Sequence, residues 1–195
     1  MGDMDPSRTA LQGWSLDASQ QTAVHDLRQG PALVIGPPGS GKTTVGSALA
    51  DLLGVPLHDT DAAIEAAAGR TISDIFVDDG EPAFRSLERA EVARAVAEEP
   101  GVVALGGGAP VDPTTEQLLE GETVVFLDVG IADASKRVGF DQSRPLLAVN
   151  PRASWVRLMN ERRPLYERVA TFRVDTAGRT PEDIAAEVAA LLGES

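Results

Sequence analysis

The segment Gly36-Pro37-Pro38-Gly39-Ser40-Gly41-Lys42-Thr43 satisfies the spacing G-x-x-x-x-G-K-[ST] at every fixed position. That spacing serves capture of a polyphosphate. Backbone N–H groups turn toward phosphate oxygens, the lysine reaches the β- and γ-phosphates, and the threonine hydroxyl suits Mg2+. Such a loop must leave a buried strand and enter a helix whose N-terminus carries partial positive charge. The apolar run Ala32-Leu33-Val34-Ile35 precedes it, and a helical pattern over 42–53 follows. A Gly/Pro-rich turn before an ordinary helix is the plain structural alternative, and the fixed positions with both flanks in order count against it.

Four further segments carry groups able to work beside such a loop. Asp59-Thr60-Asp61 follows a short apolar run, so one acid can face a metal and the other a second substrate, while an N-cap is the simpler use of either. Gly106-Gly107-Gly108-Ala109 follows another apolar run and predicts close approach of a ligand or loop to bare backbone. Arg85 and Glu88 share a helix face, which fits either a surface ion pair or an arginine held toward an anion. Around Ser143-Arg144-Pro145-Leu146-Leu147 the helical pattern breaks over 139–152, a length that predicts a lid whose arginine faces a transferring phosphoryl group.

The elements that position these groups alternate along the chain. Strands are expected at 32–35, 55–58, 102–105, 123–127 and 172–175, and helices at 17–29, 42–53, 61–68, 81–98, 113–119, 131–138, 153–168 and 181–192. Strands separated by helices predict a parallel sheet covered on both faces, with ligands beyond the carboxyl ends of its strands. Residues 1–16 show no sustained period and are expected to be flexible, with Asp17 capping the first helix and Gly30-Pro31 ending it.

A length of 195 residues suits one α/β core. The absence of cysteine excludes disulfides, thiolate nucleophiles and cysteine-held metals. Neither a membrane span nor a signal-peptide pattern is present, so the expectation is a cytoplasmic protein with no membrane partner. A net charge of -13 argues against nucleic acid. Lys42 and Lys136 are the only lysines, so arginine, the side chain suited to bidentate capture of carboxylate and phosphate, supplies nearly all the positive charge.

Taken in order, these segments together with Arg162-x-Pro164-Leu165-Tyr166 resemble the shikimate kinase family over about residues 31–192. The resemblance implies a three-layer P-loop kinase fold, a five-stranded parallel sheet flanked by helices with a mobile lid. It also implies phosphorylation of the 3-hydroxyl of shikimate by ATP with Mg2+, in aromatic amino-acid biosynthesis. By position it makes Lys42, Asp61 and Arg144 catalytic. Gly39, Ser40, Gly41, Lys42, Thr43, Thr44, Arg137, Arg144 and Arg179 become nucleotide contacts, with Arg137 near adenine. Asp61, Arg85, Gly107 and Arg162 become shikimate contacts, Thr43 and Asp59 serve the metal, and Glu88 orients Arg85. A monomer is expected, with 1–30 as an N-terminal extension and 31–195 as the kinase domain.

The extension departs from the family pattern. Its end, Leu16 to Val24, is similar to the glutamine-bearing segment that precedes the phosphate loop in some helicases, which would bring Gln20 or Gln21 to adenine. No further helicase motif follows, and no N-K-x-D motif of a GTPase is present. A kinase of another small carboxylated polyol, such as gluconate, is the alternative of the same fold. Arg85 and Arg162 favour a carboxylate-bearing acceptor over a nucleotide.

Overall fold

The computed structural model describes residues 15–138 and 150–194. Within it, the strand β1 (Ala32–Ile35) is buried along its whole length, and its side chains divide strictly by parity. Ala32 and Val34 enter one core, while Leu33 and Ile35 enter another on the opposite face. The same alternation separates Val102 from Val103 in β3 (Val102–Ala104), and Val125 and Leu127 from Val124 and Phe126 in β4 (Thr123–Asp128). A sheet apolar on both faces needs helices on both, and such crossovers leave its strands parallel. With β2 (Leu57–Asp59) and β5 (Phe172–Asp175), the order is β2-β3-β1-β4-β5, every pairing parallel. β1 lies at the centre, so the loop leaving it opens at the middle of the carboxyl edge.

One core packs the sheet against α2 (Lys42–Leu53) and α9 (Pro181–Gly193), the other against α5 (Glu81–Glu98), α6 (Pro113–Leu119), α7 (Ile131–Val138) and α8 (Pro151–Val169). A third, smaller apolar cluster, Ile64, Ile75 and Phe84, joins α3 (Thr60–Ala68), α4 (Ile72–Asp78) and α5 beside the carboxyl edge. The strands and most helices match the sequence expectations within two residues. The exceptions are informative. The first helix ends at Asp26, three residues short of the expected 29, α4 has no counterpart among the expected helices, and a 3-10 turn forms over Ala109–Val111. Although α4 has seven residues, Thr71 and Asp74 cap it reciprocally, a T-x-x-D signature present in the sequence. Helix α8 begins at Pro151 under an Asn150 cap, so the end of the expected lid is helical, and it continues through Pro164 to Val169. Arg144 and the remainder of the lid segment lie outside the described residues, as do residues 1–14.

Before the sheet runs α1 (Ala18–Asp26), whose cap uses the glutamine that the helicase likeness would send to adenine. Gln20 N–H donates to Asp17 Oδ1 at 2.8 Å, Asp17 N–H donates back to Gln20 Oε1 at 3.0 Å, and Gln21 Nε2 donates to the Leu16 carbonyl at 2.9 Å. Ala23 and Leu27 are buried among Leu49, Leu53 and Leu192. At its start, Ser19 Oγ donates to the Ala190 carbonyl at 3.4 Å, and a Cβ on Gly193 would come within 2.7 Å of the Ser19 carbonyl carbon. At its end, the Leu27 carbonyl accepts from Gly101 N–H at 3.1 Å, next to the start of β3. Helix α1 therefore packs at the amino ends of the strands, opposite the phosphate loop.

Two outcomes follow from this placement. Leu27→Ala, which empties a site 3% exposed, is expected to lower stability by about 2–4 kcal/mol in a denaturant melt. The double change Gln20→Ala and Gln21→Ala is expected to leave the KM for ATP unchanged in steady-state assays.

Candidate active site

The carboxyl end of β1 turns at Gly36 with φ 155°, and a Cβ there would stand 2.6 Å from Ser40 Oγ and 2.7 Å from the Leu127 carbonyl. Only glycine fits both the angle and the space. The loop closes on itself through Ser40 N–H to the Pro37 carbonyl at 3.1 Å and enters α2 at Gly41. The first-turn amides of α2 have no intrahelical acceptors, so they and the helix dipole present positive charge to whatever lies over the loop. Lys42 Nζ donates to the carbonyls of Gly36 at 2.9 Å and Pro37 at 3.4 Å, which holds the ammonium at the loop's centre.

Asp59 ends β2, and its two carboxylate oxygens take different partners. Its Oδ1 caps α3, accepting from the amides of Asp61 at 3.0 Å and Ala62 at 3.1 Å. Its Oδ2 accepts from Thr43 Oγ1 at 2.7 Å. The two hard oxygen ligands expected from the sequence thus meet in one place. The buried Thr60 between the acids turns into the sheet, donating to the Ala104 carbonyl at 3.3 Å and accepting from Gly106 N–H at 3.1 Å. It staples the end of β2 to the triglycine turn, a role that residue spacing does not reveal.

The turn is packed on both sides. A Cβ on Gly106 would lie 2.6 Å from Asp61 Oδ1 and 2.7 Å from Glu88 Oε1, and one on Gly108 would lie 2.8 Å from the Arg85 guanidinium carbon. Glu88 is 2% exposed, and Arg85 Nη1 donates to its Oε2 at 2.6 Å. Burial pushes the Glu88 carboxyl above its ordinary value, with Arg85 and Arg162 drawing it back. For Arg85, desolvation works against the charge, but the Glu88 carboxylate outweighs it and the guanidinium is held above its ordinary value. Of the two readings open for this pair, burial removes the solvated surface bridge. The guanidinium also lies over Phe84 at 5.3 Å from the ring centroid, and its Nη2 donates to Glu81 Oε1 at 3.2 Å.

One cleft of about 780 Å³ gathers these groups. Its walls include all the described candidates: Gly39 to Thr44, Asp59 and Asp61, and Arg85, Gly107 and Arg162. Arg137 and Arg179 line it too. Arg137 Nη2 donates to the Thr176 carbonyl at 2.6 Å and its Nη1 to the Gly39 carbonyl at 3.4 Å, so it braces the phosphate loop. Arg179 is held by the carbonyls of Asp175 and Asp183 and by Glu187. Arg144 lies outside the described residues.

The cleft also contains residues that sequence reasoning passed over. Ile72, Phe76 and Phe84 form an apolar wall, with the two rings 4.9 Å apart, and Glu65 Oε1 accepts from Ile72 N–H at 2.9 Å. Leu158, Pro181 and Ile184 supply further apolar lining. The usable signal was scarcity: with five phenylalanines in the chain, two within 76–84 beside a capping box merit attention.

The shikimate kinase family, compared by its sequence profile, matches residues 38–192. A shikimate kinase of Salinispora arenicola is 58% identical over 160 residues, covering 82% of this chain and 96% of its own length. One from Thermobifida fusca is 58% identical over 158 residues, covering 81% and 92%. Among solved structures, the shikimate kinase of Acinetobacter baumannii in complex with shikimate superposes with a TM-score of 0.82 at 34% identity, covering 87% of this chain and 96% of that one. Helix α1 precedes the matched family region.

Because the Gly106 Cα faces two carboxylates, Gly106→Ala is expected to displace Asp61 and Glu88 together, at a cost of about 1–3 kcal/mol in stability. Steady-state kinetics with the small-molecule acceptor should show a severe loss of kcat/KM while ATP binding, read by titration, stays close to wild type.

Proposed function

The chain belongs to the shikimate kinase family, and we propose that the cleft beyond β1 and β3 is where it transfers the γ-phosphoryl group of ATP to the 3-hydroxyl of shikimate. The chain is a shikimate kinase, an enzyme of the P-loop kinase fold whose substrates are ATP and shikimate. What is inferred beyond that is the part taken by each residue. The observation that carries the assignment sits at Gly107, where an added Cβ would be 3.7 Å from Arg162 Nη1 and 3.8 Å from Lys42 Nζ. A group resting on that backbone touches the phosphate-loop cation and the acceptor-end arginine together.

In this reading Arg85 and Arg162 hold the shikimate carboxylate, with Glu88 fixing the Arg85 fork and the Gly107 backbone bearing on the ring. The apolar face of the ring rests on Phe76 and Phe84. Asp61 binds the hydroxyls and takes the proton of the attacking one. The oxygen it activates forms the new bond to phosphorus as the bond to the β–γ bridging oxygen breaks, and ADP departs with that electron pair. The α2 amides and Lys42 stabilise the charge spread over the phosphoryl oxygens, joined by Arg144. Arg137 lies on the adenine side and Arg179 at the edge of the nucleotide site.

Thr43 Oγ1 and Asp59 Oδ2, 2.7 Å apart, are the hard oxygens that would hold Mg2+. One direct protein oxygen, with Asp59 acting through water, would suit an ion that completes its shell with water and substrate phosphates. When bound, the ion would neutralise phosphate charge, Asp59 supporting it through water.

Residues 1–30 form an added N-terminal segment and 31–195 the kinase domain, acting as a monomer in the cytoplasm. The charge of -13 disfavours nucleic-acid partners, and no helix among the described residues is long and apolar enough to cross a membrane.

Coupled ADP release measured with shikimate, quinate, gluconate and AMP is expected to show turnover with shikimate, and turnover with gluconate alone would overturn the acceptor assignment. In the same assay Asp61→Asn should lower kcat by about 10²- to 10⁴-fold with ATP affinity preserved; a near wild-type rate removes Asp61 from proton transfer. Chelating divalent cations should abolish turnover, and added Mg2+ should restore it in wild type but poorly in Asp59→Ala.

A further inference from the structure

We propose that α8 is the strut that sets the ATP loop against the shikimate loop, with Trp155 and Tyr166 as its two positioning residues. Trp155 Nε1 donates to the carbonyl of Pro38, inside the phosphate loop, at 2.9 Å. Tyr166 Oη donates to the carbonyl of Gly107, inside the triglycine turn, at 2.6 Å. Both side chains are buried, at 3% and 0% exposure, and neither lines the cleft. They act on the substrates through the backbone they hold and, for Tyr166, also through Arg162, to which its hydroxyl is hydrogen-bonded.

Their placement on the helix is what makes them a pair. Trp155, Met159, Arg162 and Tyr166 follow the 4-3-4 spacing of a single helix face, so the two donors stand eleven positions and about three turns apart on one helix. The ends of that face are packed into the sheet's core, where the Tyr166 ring lies 5.2 Å from that of Phe126. On the adjacent flank Arg163 Nη1 donates to Asp128 Oδ2 at 2.7 Å, which anchors the helix to the end of β4. Arg162, between the two donors, projects into the cleft.

The effect on the site follows from peptide geometry. In a trans peptide the C=O and the next N–H point in opposite directions, so fixing a carbonyl aims the following amide. Holding the Pro38 carbonyl aims the Gly39 amide, one of the phosphate-facing donors of the loop. Holding the Gly107 carbonyl aims the Gly108 amide and fixes the backbone that lies between Lys42 and Arg162. Indole N–H has no acceptor role, and burial raises the Tyr166 phenol, so both groups stay donors across the working range.

This inference rests on the assignment of one loop to ATP and the other to shikimate, and a paired experiment separates the two. Tyr166→Phe keeps the ring and removes the donor; Trp155→Phe removes the indole N–H. Initial rates are measured over both substrates, alongside thermal melts. Loss of one net hydrogen bond corresponds to about a fivefold effect. Tyr166→Phe is expected to raise the KM for shikimate by about that factor while the KM for ATP stays within about twofold, and Trp155→Phe to do the reverse. General destabilisation would move both constants together in each variant.

Equal shifts in both constants, or none, overturn the strut. A wild-type enzyme inactive with shikimate overturns the functional assignment instead. Should Trp155→Phe fail to fold, replacing tryptophan with 3-benzothienylalanine, which keeps the shape and lacks the N–H, supports the same measurement.

Discussion

Everything at the site depends on how β1 ends. The strand is buried on both faces between β3 and β4, so its chain can leave only at the carboxyl edge, and there it meets the Leu127 carbonyl and the Ser40 side chain within the reach of a Cβ. Glycine at 36 satisfies that constraint, and the phosphate loop is consequently built at the middle of the sheet, not at its rim. Central placement lets β2 and β3 bring Asp59, Asp61 and the triglycine turn to one side of the loop. It also lets α8 cross the other side with Arg162.

An acidic chain thereby concentrates cations in one cleft. Lys42, Arg85, Arg137, Arg162 and Arg179 all face a cleft in a molecule of net charge -13. Four of them are held by carbonyls or carboxylates: Lys42 by its own loop, Arg137 by Thr176 and Gly39, Arg85 by Glu88, and Arg179 by Asp175, Asp183 and Glu187. The cost falls on Glu88, whose burial disfavours its ionised form and is offset by the adjacent guanidinium. Rigid cations of this kind need little reorganisation when charge develops during phosphoryl transfer.

Helix α1 joins the core at the end of the sheet opposite the phosphate loop. Its apolar residues extend the core between α2 and α9, and its ends bond to Ala190 and Gly101, all away from the carboxyl edge. The resemblance of its glutamines to an adenine-reading segment came from their position just before a phosphate loop. In three dimensions the strand β1 stands between them, and the glutamines close a capping box and bond to Leu16.

The sheet, most of the helices and many of the residues that line the cleft were legible in the sequence, because each rests on local rules. Two-sided apolar runs make parallel strands, a fixed glycine spacing makes a phosphate loop, and a short helix at 72–78 escaped notice only because seven residues carry little periodicity. What lay beyond local rules was partnership. Spacing could not tell whether Arg85 and Glu88 were a solvated pair or a buried clamp, nor that Asp59 caps a helix with one oxygen and meets Thr43 with the other. It could not show Thr60 stapling β2 to Gly106, or Phe76 and Phe84 walling the cleft. Those facts depend on segments far apart in sequence arriving within a few ångströms, and only the packing of helices on both faces of the sheet decides which ones do.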